Sequence, residues 1–524
     1  MSVVPLTGWQ ARCGPSRRGL LAGAGTLLLP AGAAGRAATA EGPLRIVGPW
    51  EISGLEPASS GHFFTGLQVA QTLVDADDTG RLRPGLAAAW QVAEEGLSWR
   101  LTLRAGVQFH DGSPLTATSV ARALQRAHGR PGLLRLAPLT AVDPEGPLQL
   151  RLRLSRPFAL LPALLAHPST LVLAPASLGA GGGVERIIGT GPYRVAALAA
   201  PQRVQVQAAD PASPWPVRRA HYLQASRAET RALMAEAGQA DLAIGLDPAS
   251  LARLRGHPAV RVLQVMLPRT LILKPHCGHR WLADLRARQA LSLALDRAGI
   301  AAGLLRDPTL AAGQLLPPLL KDWHQPALPA LRHDPGQARA LWAQLGWRPG
   351  PDGILQRGQE RLRLTLRTFP DRPELPLVAA AVQEQLRLTG VDCRVLVGNA
   401  SELPLRHRDG SLELSLAARH YALVPDPLGT LLQDFGPEGG DWGALGWHSP
   451  ALQQALDALS RGKGDAARWR RQAVTALHEG LPVIPLAWYR HSVAVPPALA
   501  GLSLDPLERS WRLTEMAWPR PVVS

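Results

Sequence analysis

Apolar and polar positions alternate most cleanly where Leu97, Trp99, Leu101 and Leu103 are separated by Ser98, Arg100 and Thr102. A period of two predicts a strand with one buried face. Beyond it, Phe109-His110-Asp111-Gly112-Ser113-Pro114 predicts a tight turn, because Asp-Gly supplies a left-handed position and Pro fixes the exit. Thr116 is placed to cap a following helix whose apolar residues, Val120, Ala123, Leu124 and Ala127, recur at helical spacing. The stretch therefore reads as strand, turn and capped helix.

The same two periods recur along the chain. Alternation or short apolar runs predict strands at 43–49, 148–154, 260–267, 270–273, 362–366, 391–397, 411–416 and 481–488. Helical spacing predicts helices at 68–74, 159–165, 334–347, 378–388, 452–459 and 467–478, with another in the stretch from Thr230 that leads into Asp241-Leu242-Ala243-Ile244. Asp284 stands near the start of a further helix, suiting its positive dipole end, with Ala290, Leu293, Ala294 and Arg297 at helical spacing. Trp342 falls on the apolar side of its helix and is expected in the core. Strands alternating with helices predict an α/β layer.

The 524 residues exceed one small core and predict about two to four domain-sized units. An apolar share of 46%, with 48 Pro and 51 Gly, describes a loop-rich globular chain and not a disordered one. Net charge is +15, almost all of the excess being arginine. These arginines are scattered among Leu and Ala, without a long basic run or interleaved stacking aromatics, so nucleic acid is not an expected partner. At the N-terminus, Ser16-Arg17-Arg18-Gly19-Leu20-Leu21 leads into an apolar segment, and Ala38-Thr39-Ala40 offers a small-residue cleavage site. The pattern looks like a twin-arginine export signal, with an ordinary secretory signal as the alternative. Cleavage after residue 40 would remove four arginines and no acid, taking the charge from +15 to +11. No later apolar run approaches the roughly 18 residues of a membrane span, so a soluble exported chain is expected. Cys13 lacks a lipoprotein context, and Cys277 and Cys393 read as two free or buried thiols.

The wording of residues 82–126 resembles the first lobe of the family 5 solute-binding proteins of ABC importers, the peptide, nickel and opine binders. Further stretches are similar to the same family: the turn Gly189-Thr190-Gly191-Pro192-Tyr193, the element Asp241-Leu242-Ala243-Ile244, the helix bearing Asp284, Arg286, Arg288, Gln289, Ala290, Leu291, Asp296 and Arg297, and the helix from Asp334 to Trp347. The resemblance extends from residue 43 to about 515. It implies a two-lobed periplasmic-binding-protein-like fold (type II, cluster C) with a hinge. Lobe I would comprise residues 41–268 plus 488–524 and lobe II residues 269–487, after a signal over 1–40. The chain would cross between lobes near 265–275 and return near 486–490. It also implies a monomeric periplasmic receptor that delivers a metal chelate or short peptide to ABC permease subunits in the membrane.

Site residues follow from the same resemblance. His62 and Phe63 occupy a loop that lines the cleft in nickel-type members. His167, before Pro168, stands where those members carry an arginine that pairs with a ligand carboxylate; imidazole is a weaker carboxylate partner but a possible metal ligand. Arg130 is a nearby arginine candidate. In the second lobe Arg406 falls at a cleft-facing arginine, and Tyr421 stands where those members place a Trp, with Arg419 beginning the same loop. Leu423 stands where peptide binders keep an Asp for the free amino terminus. Trp442, in a Gly-rich loop, is read either as a cleft-edge aromatic or as packing against its own loop.

No cofactor is expected, and the chain does not read as an enzyme. It lacks a GxSxG elbow, an HExxH pair and a Walker lysine motif, and the glycines at 179 and 181–183 have no helix to complete a dinucleotide fingerprint. His276, Cys277 and His279 are metal-ligand types, but nothing nearby in the sequence completes a ligand set with its second shell, and they read as a surface loop. An exported enzyme, which would show turnover, and a basic envelope interaction protein, which would bind polyanions in a salt-sensitive way, remain as alternatives.

Overall fold

Two long strands, Arg261–Pro275 and Ile484–Val495, pair antiparallel through the middle of a ten-stranded sheet. The computed structural model describes residues 42–437 and 439–518, so the export signal expected at 1–40 lies outside the described residues. On one side of the central pair the order runs through Leu414–His420 and Arg363–Thr368 to Asp392–Val397. On the other it runs through Leu242–Ile244, Leu44–Gly48, Arg219–Gln224 and Arg203–Ala208 to Tyr193–Ala199. Leu44–Gly48 is parallel to both of its neighbours, as is Arg363–Thr368 to both of its own, and these pairs need crossover connections. The mixed α/β class follows.

The central pair is irregular at two places, between Leu267 and Thr270 and between Leu271 and Ile272. At the first, Pro268 has no N–H to give the ladder and its carbonyl accepts instead from Tyr421 N at 2.6 Å. The two strands expected at 260–267 and 270–273 are thus one strand with an interruption.

A separate four-stranded antiparallel sheet, built from Ala87–Ala93, Ser98–Leu103, Leu139–Pro144 and Gln149–Leu154, contains the alternating segment. Leu101 and Leu103 face its core, together with Val120 and Leu124 of the helix Ala117–His128. Thr116 caps that helix through Ser119 in a reciprocal capping box. The helices Pro427–Phe435, Pro450–Ser460 and Ala466–Gly480 add Leu431, Leu456 and Val474 to the same core. A second core gathers Leu364, Leu414, Val378 and Ala290 around Trp342, which is fully buried as its helical position predicts. A third collects Leu44, Ile46, Phe64, Val206 and Tyr222, and the late residues Leu513 and Met516 join it.

One expected helix is displaced. The chain is helical over Pro57–Gly66 and not over 68–74. Gln68 takes a left-handed φ of 54°, and the backbone beyond it bonds to distant partners: Gly191 N to Val69 O at 3.0 Å, Val172 N to Gln71 O at 3.1 Å. Val69, Leu73 and Val74 are buried as a strap between elements, which mimics a helical apolar face in the sequence. Cys277 and Cys393 are both free and buried.

Candidate functional site

A cavity of about 480 Å³ opens beside the central strand pair and is walled by parts of the chain that are far apart in sequence. The helix Pro57–Gly66 contributes His62, and the turn after it in space contributes His167 and Pro168. Gly61 allows this pairing: a Cβ there would overlap the carbonyl of Pro168, so only glycine lets the helix rest on that turn. The central strands supply Arg269 and His491, the strand ending at His420 supplies that residue, and the loop after Arg363–Thr368 supplies Arg372.

The remaining wall is the C-terminal segment, from Leu502 to Trp511. Asp505 organises it, since its buried carboxylate accepts from the backbone N–H groups of Leu507 at 2.8 Å, Arg509 at 3.1 Å and Ser510 at 3.2 Å. That scaffold holds Glu508 at a left-handed φ of 53°, a conformation disfavoured for a side-chain-bearing residue and typical of positions kept by their surroundings. Trp511 donates its backbone N–H to Gly66 O at 2.9 Å and stacks on Tyr222 at 5.5 Å. The Tyr222 hydroxyl donates to Trp50 O at 2.8 Å, so Trp50 and Trp511 form an aromatic end of the cavity pinned through one tyrosine.

Charges in the cavity are mostly spoken for. Arg269 Nη2 meets Glu508 Oε2 at 2.5 Å. Burial works to raise the Glu508 carboxyl, but Arg269, His420, His491 and Arg372 outweigh it and hold the group well below the usual carboxylate range. Arg509 pairs with Asp75 at 2.6 Å and with Asp505 at 3.3 Å. Arg372 is different. Its Nη1 donates to the Tyr489 hydroxyl at 3.2 Å and its guanidinium lies 5.2 Å from the Tyr489 ring, but it forms no ion pair among the described residues. Arg269 lies against the same ring, also at 5.2 Å. Four imidazoles complete the lining. Burial lowers His62, and pushes His167 and His491 down to about 4 and His420 to about 3, so all four are neutral near pH 7. Arg372 is then the cavity arginine without a close ion pair among the described residues, although Glu508 and Glu374 act on it at longer range and keep it charged.

Of the eight residues singled out in the sequence, the structure brings His62 and His167 into this cavity. The other six lie elsewhere. Phe63 is fully buried in the core, edge-on to Tyr222 at 5.3 Å and with its ring 4.4 Å from that of His62. Tyr421 is fully buried, and its loop presents Ala422 and Leu423 to the cavity instead. Arg419 is spent on a buried ion pair with Asp434 at 2.6 Å. Trp442 packs edge-on against Phe369, a residue outside its own loop, at 6.1 Å and does not line the cavity. Arg130 is exposed, and Arg406 lies on the helix Glu402–Arg408 with its Nη1 donating to Ser411 Oγ at 3.3 Å; neither lines the cavity. Arg269, Arg372, His420, His491, Glu508 and Trp511 were not legible as site residues, since no motif links them. His276 and His279 have ring centroids 6.3 Å apart beside the buried Cys277. No three His, Cys, Asp or Glu side chains among the described residues gather into a metal-binding group.

A cavity bordered by the central strand pair and walled by both early and late segments fits the two-lobed periplasmic-binding-protein-like fold. Residues 81–442 match the family described as bacterial extracellular solute-binding proteins, family 5 Middle, and the chain belongs to that family of receptors. It is 24% identical over 498 residues to the nickel-binding periplasmic protein of Escherichia coli K12, covering 88% of this chain and 93% of that one. It is 25% identical over 347 residues to the glutathione-binding protein GsiB of Salmonella typhimurium, covering 63% and 64%. Among solved structures, NikA from Brucella suis in complex with Fe(III)-EDTA superimposes with a TM-score of 0.82 at 21% identity, over 91% of this chain and 100% of that one. The oligopeptide-binding protein AppA from Bacillus subtilis, in complex with a nonapeptide, does so with a TM-score of 0.79 at 17% identity, over 91% and 99%. At these identities the likeness establishes the fold. No helix among the described residues is long and apolar enough to cross a membrane.

Proposed function

We propose that this chain is the exported, monomeric receptor of an ABC importer, which captures a small solute in the 480 Å³ cavity and presents the closed form to a membrane permease. Residues 1–40 direct export, by the twin-arginine route, to the periplasm. Lobe I comprises residues 41–268 and 488–524 and lobe II residues 269–487, hinged where the central pair loses register around Pro268. Binding acts by population shift: contacts made to the solute from both lobes at once favour closure, and no covalent step is needed.

The observation that carries this reading is the unpaired guanidinium of Arg372 in a cavity with aromatic and apolar walls. A half-buried guanidinium that stays charged and has no close ion pair keeps donors free for an arriving anion. The solute is therefore carboxylate-bearing, and a metal chelate or a short peptide fits that description. A free amino terminus finds no unpaired acid, because Glu508 and Asp505 are engaged and Leu423 replaces the acidic anchor of peptide-type relatives.

The test is a thermal-shift panel on the chain from residue 41, using nickel with L-histidine, Fe(III)-EDTA, glutathione, agropinic acid, short peptides and a polyanion. A solute at a hundred times its Kd adds about 2.7 kcal/mol of apparent stability. Stabilisation by one or more of the carboxylate-bearing solutes supports the reading. Stabilisation by the polyanion alone, or turnover of a solute, overturns it.

A further inference from the structure

His167 is held in one tautomer by its own turn. The residue caps the short helical turn Pro168–Thr170, and its Nδ1 accepts the backbone N–H of Ser169 at 3.1 Å, with Ser169 Oγ a further 2.8 Å contact. A backbone amide can only donate, whereas the Ser169 hydroxyl can donate or accept, so the bond from Ser169 N is the contact that assigns the Nδ1 lone pair and with it a ring proton on Nε2. That second nitrogen has no protein partner among the described residues, and His167 lines the cavity. The turn is itself fixed, because Gly61 brings the helix Pro57–Gly66 down onto the Pro168 carbonyl and Thr170 Oγ1 donates to His167 O at 2.8 Å.

We propose that His167 is a specificity-determining residue that donates its Nε2–H to an oxygen of the solute, and does not ligate a metal. The inference deepens the receptor reading and rests on it. Acting as a metal ligand through Nε2 would require the proton to leave or move to Nδ1, and moving it would break the bond from Ser169 N and leave a buried amide unpaired. His167 therefore supplies direction without charge, while Arg372 supplies the charge. The solute class is a carboxylate-bearing, oxygen-rich molecule, with one oxygen met by a neutral N–H donor and a carboxylate met by a guanidinium. A site built to donate a hydrogen bond discriminates strongly against analogues lacking the acceptor.

Two measurements on the chain from residue 41 decide this. The first needs no solute: in 15N-histidine-labelled protein at pH 7, His167, assigned by its loss in His167→Gln, should show a protonated, pyrrole-like Nε2 and a pyridine-like Nδ1. The reverse pattern overturns the proposal. The second is calorimetry with glutathione, agropinic acid, nickel with L-histidine, and nickel chloride alone, on wild type, His167→Gln and His167→Leu. Gln keeps an N–H donor but is a poor metal ligand. Solutes bound by wild type should hold within about threefold in the Gln variant and weaken about tenfold or more in the Leu variant, roughly 1.4 kcal/mol. Equal loss in both variants, or binding of nickel chloride that disappears in His167→Gln, overturns the donor role while leaving the receptor reading intact. If no solute binds wild type, the solute class of the receptor reading fails, and the nitrogen assignment still decides the tautomer.

Discussion

Arg269 and Glu508, 239 positions apart, form an ion pair at 2.5 Å that ties the outgoing central strand to the C-terminal segment across the cavity wall. Both side chains are withdrawn from bulk solvent, Arg269 with 8% of its side chain exposed. Removing one partner leaves the other buried and unpaired. Glu508→Gln is expected to destabilise the protein by about 3 kcal/mol, read as a lower midpoint in chemical denaturation. An unchanged midpoint would mean that the pair contributes nothing to the wall.

Arg372 has no close ion pair, so its removal should act mainly on binding. Arg372→Gln is expected to weaken carboxylate-bearing solutes by tenfold or more in calorimetry, with a smaller loss in the melting temperature of the empty protein than Glu508→Gln causes, because Glu508 and Glu374 act on Arg372 only at longer range. Arg406→Ala, at a position outside the cavity, should leave affinity unchanged.

Tyr421 belongs to the core, and its hydroxyl is buried without a hydrogen-bond partner. Deleting the ring in Tyr421→Ala should cost about 3–5 kcal/mol of stability. Tyr421→Phe removes an unsatisfied polar group and should raise stability by about 1 kcal/mol. Opposite signs for these two variants in thermal melts are the expected outcome; loss of stability in both would place a partner on the hydroxyl.

Gly61→Ala tests how His62 and His167 come together. The added methyl meets backbone, which cannot rotate away, so a loss of about 1–3 kcal/mol is expected in denaturation, with weaker solute binding.

Acid should loosen the cavity through its imidazoles. Burial holds His167 and His491 at about 4 and His420 at about 3, below the ordinary 6.5 that the unfolded chain shows. The unfolded state therefore takes up protons first. Stability is full above about pH 6.5 and falls as the pH drops toward 4, by up to about 1.4 kcal/mol per pH unit for each imidazole. Denaturation at pH 7.5, 6 and 5 should show this slope, reduced in His167→Gln; a flat profile over that range would place these rings in water.

Local instructions were legible wherever a residue and its neighbours in sequence share one environment. The strand at Ser98–Leu103, the capping of the next helix by Thr116, the cap at Asp284 and the core position of Trp342 all follow from period and chemistry within a dozen residues, although at the strand's start Leu97 is exposed and Ser98 buried, against the expected alternation. The helix placed at 68–74 failed because a buried strap, bonded to Gly191 and Val172, shows the same apolar spacing.

By itself, then, the sequence determined the α/β class, most element positions, the family and two cavity residues, His62 and His167, because those depend on periodicity, capping and motif. Only the tertiary structure decided which arginine is free. Arg419, Arg269 and Arg372 look alike along the chain, but Asp434 neutralises the first, Glu508 neutralises the second, and the third is left facing the cavity. Charge compensation acts through space between segments whose separation in sequence has no period, so it becomes visible only when the chain has folded.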